Sequence, residues 1–185
     1  MSLDQSAPSA PAVRPKPALH EMAPLAPTGL RFTARVLDSL VLAVLWFVSA
    51  TVTGLFGEVM EAQRAGGSFV EQTASVDPVR AVLAFALTYL VYFLYEGALL
   101  ARSGQTLGKK AVGIRVAVLS DGDIPGQRGW TRAAVYALPG VLGGAPGLSL
   151  LGQLFWLTDS LWFLRDRPYR QALHDKAAKT VVVRA

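Results

Sequence analysis

With 185 residues, 52% of them hydrophobic and 17% charged, and a mean hydropathy of +0.37, the chain can form one compact bundle, and its long apolar runs mark an integral membrane protein. The formal charge of +5 and pI of about 9.8 do not imply a nucleic-acid partner, because Lys and Arg gather beside the apolar runs and lack aromatic interleaving. There is no Cys, which excludes disulfides and thiolate metal sites, and His20 and His174 stand far apart, so neither a metal nor a cofactor is expected.

Residues 1–28 are rich in Pro, Ala and Ser and contain no apolar run long enough to fold, which predicts a disordered tail and no signal peptide. A first membrane helix is predicted over Gly29–Phe56. It carries Arg31, Arg35 and Asp38 at its start and no further charge until Glu58. Those three fall at i, i+4 and i+7, within roughly 40° of one another on a helix, so the stripe should face protein. Two readings stay open: the arginines snorkel to headgroups and Asp38 merely pairs with one of them, or Asp38 is a functional intramembrane carboxylate.

The stretch 57–77 is acidic, with Glu58, Glu61, Glu71 and Asp77 against Arg64, which places it outside the cell and the N-terminal tail inside. A second span, Pro78–Ala101, starts with Pro in its first turn and carries Glu96 in its interior. The basic stretch 102–132 is then cytoplasmic. It reads as a turn, a short amphipathic segment with Lys109 and Lys110, a strand over Ile114–Leu119 with Arg115, and an Asp-Gly turn. Lys109, Lys110 and Arg115 are assigned to a basic face for lipid headgroups. The spacing of Gly104, Gly108 and Lys109 lacks one residue and the hydroxyl of a phosphate-binding loop, so no nucleotide site is expected.

The apolar region 130–164 is broken by Pro139, Gly140, Gly143, Gly144, Pro146 and Gly147, too long for one span and short for two. It is predicted as two membrane-embedded helices, Thr131–Leu142 and Leu148–Leu164. Two GxxxG spacings, Gly140 to Gly144 and Gly143 to Gly147, point to packing or turn-making at the bend. The basic C-terminal tail ends in a β-branched run, Thr180–Val183, which is stranded unless it pairs with 114–119 on the same side of the membrane. The expected fold is therefore an all-α membrane bundle of about four membrane-embedded helices, two long spans plus a Gly/Pro-broken helical hairpin, with a small cytoplasmic two-stranded β element.

Three ordered motifs cover residues 29–183: Arg31-x-x-Ala34-x-x-x-Asp38; Gly104-Gln-Thr-Leu-Gly-Lys-Lys followed by Gly113-Ile-Arg-Val; and Asp159-x-Leu-Trp running on to Arg170-Gln-Ala-Leu-His-Asp-Lys and Thr180-Val-Val-Val. Together they resemble an RDD-family membrane protein. The family's Arg and first Asp map to Arg31 and Asp38, and its second Asp to Asp159 or Asp175. The resemblance implies a multi-pass protein of the bacterial inner membrane, described as a transporter, with no enzymatic activity attached.

Asp38 lies seven residues past Arg31, Glu96 six before Arg102, and Asp159 six before Arg165. The three carboxylates should therefore sit roughly 9 to 10 Å inside the same membrane face. Arg31 and Arg35 would neutralise two of them, leaving one to hold a proton or a monovalent cation. The competing reading is a static network that orients helices. His174 and Asp175, adjacent in sequence, are expected to point apart, with Asp175 serving as a cap or docking to Arg170 or to the amphipathic segment. No triad or HExxH pattern appears, so enzymatic activity is not expected. The expected function is a small transporter or transporter subunit with both termini cytoplasmic. The alternative is a non-catalytic scaffold or accessory protein. Expected partners are membrane lipid and a second copy or a partner membrane subunit.

Overall fold

A computed structural model describes residues 23–185; the rest of the Pro-rich stretch lies outside the described residues. In chain order the elements are α1 Thr28–Val52, α2 Leu55–Ala65, α3 Phe69–Ala74, α4 Pro78–Ser103, α5 Leu107–Ala111, β1 Ile114–Val118, α6 Gln127–Val141, a 3-10 turn Leu142–Gly144, α7 Ser149–Arg165, α8 Leu173–Ala178 and β2 Thr180–Arg184.

The two predicted spans are helices of 25 and 26 residues. Each is about 38 Å long at 1.5 Å per residue, and both are long and apolar enough to cross a membrane. Their outer sides expose Leu40, Val44 and Val48 on α1 and Leu83, Leu90 and Leu94 on α4, a surface that lipid would cover. Asp77 caps α4 by accepting from the Val79 N–H at 2.8 Å, and Pro78 fills the first turn, where no intrahelical donor is needed.

The first helix is shorter than predicted. Thr53 folds its hydroxyl back onto the Ser49 carbonyl, and Gly54, at φ 80°, turns the chain into α2. The acidic connection 57–77 is thus largely helical. Ser68 and Glu71 start α3 with a reciprocal capping box.

The Gly/Pro region forms the expected hairpin, with α6 and α7 of 15 and 17 residues. At about 23 and 26 Å they fall short of a 30 Å hydrocarbon core, so among the described residues two helices, α1 and α4, are long and apolar enough to cross a membrane. Glycine brings α6 and the 3-10 turn close to α4. A Cβ on Gly97 would stand 2.2 Å from the Trp130 ring, one on Gly140 2.3 Å from Tyr89, and one on Gly144 2.5 Å from the Ala81 carbonyl oxygen. Gly140 and Gly144 therefore serve close packing, while Gly147, at φ 79°, makes the turn.

The strands pair antiparallel, Ile114 opposite Arg184 and Val118 opposite Thr180. The sheet gains a further edge from residues assigned to the tail by sequence. The Ala26 N–H donates to the Val182 carbonyl at 3.0 Å and the Arg184 N–H to Pro24 at 2.9 Å. Structure thus begins before residue 29. Leu100 of α4, Ala34 of α1, Ile114 and Val116 of β1 and Val182 of β2 share one buried cluster. That cluster sets the sheet against the start of α1 and the end of α4, and the helical hairpin bends at the opposite end, against the start of α4.

Gly144→Ala is expected to cost about 1–3 kcal/mol, because the added methyl meets backbone and not a movable side chain. Thermal unfolding in detergent reads this, and an unshifted midpoint would show that the helices part freely.

Candidate functional site: a buried chain of charges

Asp38 faces inward nearly three turns into α1, with no solvent exposure. Its carboxylate accepts from the Thr106 hydroxyl at 2.6 Å, the Gly108 N–H at 2.9 Å, the Tyr95 hydroxyl at 3.4 Å and the Lys109 ammonium at 3.4 Å. The local sequence explains the fit. Thr106 is the N-cap of α5, so its hydroxyl sits at the helix start, where N–H groups are free to meet a carboxylate. Gly108 lets α5 approach α1 closely, since a Cβ there would stand 2.3 Å from the Ala34 carbonyl oxygen and 2.9 Å from Asp38 itself.

Lys109 lies 3.4 Å from Asp38 and 3.9 Å from Glu96. This corrects the assignment of Lys109 to a headgroup face. Its side chain is buried because α5 packs flat on α1, which turns Lys109 inward and leaves Lys110 exposed. Arg115 is half-buried and donates to the Gly122 carbonyl at 3.1 Å, bracing the β1 turn. Burial, together with the neighbouring charge of Arg132, brings the Lys109 ammonium down to about 8.

Glu96 is the centre of the chain. Its Oε1 takes Arg132 at 2.9 Å, Lys109 at 3.9 Å and Arg35 at 4.0 Å, while Oε2 has no hydrogen-bond partner among the described residues. Arg132 then passes the chain on. Its Nε donates to Asp175 at 2.8 Å and its Nη2 to His174 Nε2 at 2.7 Å. A ring nitrogen that accepts from Arg132 leaves the proton on Nδ1, which faces Asp159 Oδ2 at 2.7 Å. Burial and the Arg132 charge lower the basicity of His174, which favours that neutral tautomer. Burial alone would raise the Asp175 carboxyl, but Arg132 and His174 outweigh it and hold the group well below the usual carboxylate range.

Asp38, Glu96 and Asp159 are thereby joined in one buried network, linked through Lys109 and Arg132 and not through Arg31. Arg31 instead donates to the carbonyls of Ala26 at 3.0 Å, Val182 at 2.9 Å and Arg170, tying the sheet to α1. Arg35 lies 4.1 Å over the Tyr136 ring. His174 and Asp175 do not part as expected, since both reach the one guanidinium of Arg132. Asp175 also caps α8, accepting from the Ala172 N–H at 3.2 Å, and pairs with Arg132 where Arg170 was expected.

Arg132 was missed by sequence reasoning, although a signal existed. It stands three residues after Gly129 and four before Tyr136, on the small and aromatic stripe that α6 turns toward α4. A cavity of about 150 Å³ borders the network, touched by Arg35, Lys109, Arg132, Asp159, His174 and Asp175. That volume has room for several waters or one small ion. No cluster of three or more metal-ligating side chains occurs among the described residues.

A family model described as RDD family matches residues 25–179. No curated protein and no solved structure matches the chain.

Arg132→Gln should destabilise the protein by about 3–5 kcal/mol, because it leaves Glu96 and Asp175 buried without their nearest counter-charge. Thermal unfolding in detergent measures it, and a loss below about 1 kcal/mol would mean that the network is not held as described.

Proposed function

From the premise that the chain belongs to the RDD family of membrane proteins, we propose that it is a small transporter, or a transporter subunit, that exchanges protons for a monovalent cation at the buried charge chain. The observation that carries this reading is Lys109, an ammonium between Asp38 and Glu96, beside a cavity and releasing its proton at about pH 8. While protonated, it fills the place of a cation between the two carboxylates. Once the proton leaves to the cavity, Asp38 and Glu96 lose one neutralising charge, and a small monovalent ion restores it. One proton out for one cation in leaves the charge of the network unchanged, which keeps the low-dielectric cost of the step small.

The setting is the bacterial inner membrane. Arg102, Lys110, Arg128 and Arg165 cluster at the sheet end, and Glu58, Glu61, Glu71 and Asp77 at the other, so both termini are assigned to the cytoplasm. In this reading α6 and α7 are embedded as a short hairpin that returns to the same side. A bundle this small works as a homo-oligomer or with a partner subunit. Enzymatic activity forms no part of the proposal.

One observation favours the rival, a non-transporting scaffold. Asp38 and Asp175 are each satisfied by several donors, as in a network that only orients helices. The two readings separate at Lys109. Arginine keeps the positive charge but does not release its proton near neutrality. In proteoliposomes, sodium- or potassium-driven proton flux should grow from pH 7 to pH 9 as Lys109 gives up its proton. Lys109→Arg should reduce that flux to the protein-free level while the variant still elutes as folded protein. Wild-type flux in Lys109→Arg would remove Lys109 from the exchange, and wild-type protein no better than protein-free vesicles would leave the scaffold reading standing.

A further inference from the structure

The charge chain leaves one cation under-used, and it gives up no proton in the exchange just proposed although it borders the same cavity. Arg35 carries five N–H donors, yet its guanidinium donates no hydrogen bond among the described residues. Its nearest carboxylate oxygen is Glu96 Oε1 at 4.0 Å, beyond hydrogen-bond range, and its other contact is the Tyr136 ring face. Every other cation of the cluster is committed: Arg31 to three carbonyls, Lys109 to Asp38 and Thr106, and Arg132 to Glu96, Asp175 and His174.

Arg35 also stands where a ligand could reach it. α1 packs on α4 and α5, and α7 packs on α6 and α8, so the cavity falls between α1 and α7. Its outer wall is Phe32 of α1, 68% exposed, with Ser160 and Phe163 of α7, so it faces the side of the bundle and not its end. Arg35 lies one turn further into α1 than Arg31, with its guanidinium over the Tyr136 ring at the inner end of the cavity. The two carboxylates that also line the cavity do not compete for it. Asp159 is engaged by His174, and Asp175 by Arg132 and the Ala172 N–H.

We propose that the cleft between α1 and α7 is a phosphate-binding site in which Arg35 takes a phosphate oxygen, supplied by a phospholipid headgroup whose acyl chains lie along Phe32 and Phe163. A guanidinium matches phosphate with paired N–H donors, and the aromatic wall matches the glycerol and upper acyl region. The source is assigned to lipid because the cleft faces sideways, and inorganic phosphate is the other source of the same chemistry.

The test uses the full chain, purified in a neutral detergent and stripped of lipid, with bound ligand counted by native mass spectrometry. Three probes are added separately: phosphatidylglycerol, a glycosyl diacylglycerol without phosphate, and inorganic phosphate. Phosphatidylglycerol is expected to be retained well above the glycolipid, and Arg35→Gln should weaken that retention by about tenfold or more, as loss of a charge-assisted contact implies. Arg165→Gln, at an exposed cation at the end of α7, should leave it unchanged. Retention of inorganic phosphate with the same dependence on Arg35 upholds the site with a soluble ligand. Equal retention of both lipids, or retention indifferent to Arg35→Gln, overturns it. Should Arg35→Gln fail to fold, wild-type protein labelled with a photoreactive phosphatidylglycerol decides: adducts on Phe32 or Phe163 support the site, and adducts only elsewhere refute it.

Discussion

The fold depends on one buried guanidinium. Arg132, 2% exposed, reaches Glu96 on α4 and both Asp175 and His174 on α8, so a single side chain of α6 joins the long helix to the C-terminal segment. Taking such charges out of water costs several kcal/mol each, and their attraction offsets that only when the hydrogen bonds are nearly complete. The surroundings meet that condition at Asp38, Asp175 and Asp159. Because the bonds are directional, the network also fixes helix rotation: a turn of α6 by one residue would swing Arg132 about 100° away from all of its partners.

Glycine and short polar side chains make this closeness possible. Gly108 sets the α5 backbone against α1, and Gly97, Gly140 and Gly144 do the same between α4 and the helical hairpin. The result is a tight packing of helices whose outer faces are apolar. Interior contact between membrane helices draws on close packing and hydrogen bonds, since lipid tails are as apolar as leucine. The small sheet closes the arrangement at one end, where Arg31 gathers carbonyls from three separate segments. Arg31 therefore acts on the backbone, and Asp38 on the packing of α5.

Much of this was legible because it follows from local pattern. Long apolar runs mark α1 and α4, Pro78 and Asp77 mark a helix start, and two β-branched runs that would otherwise stand alone imply a pair. Counting residues inward from flanking arginines groups Asp38, Glu96 and Asp159, and the fold joins these three through Lys109, Arg132 and His174. Partner choice was not legible in that way. Counting along one helix puts Arg31 and Asp38 on the same stripe, but Arg31 sits lower and meets carbonyls that only the folded sheet supplies. Lys109 looked like a surface lysine because its inward turn depends on Gly108 packing against α1, a contact 70 residues apart in sequence. Arg132 counts in the sequence only as the last charge of the basic stretch 102–132, because its partners Glu96 and Asp175 lie 36 and 43 residues away. The break at Thr53 and Gly54 was hidden by the unbroken apolar run around it.

The uneven use of Glu96 links the two ends of the network. Arg132, Lys109 and Arg35 all approach Oε1, while Oε2 stays without a protein donor. Three cations crowding one oxygen repel each other, so their positions are interdependent. If Arg35 is drawn toward an anion at the cleft, Glu96 loses its most distant counter-charge and binds Lys109 and Arg132 more strongly. A firmer hold on the ammonium favours its protonated form. On the two proposals above, occupation of the lateral cleft and proton release from Lys109 would be tied through one carboxylate, and linkage would require the influence to run both ways.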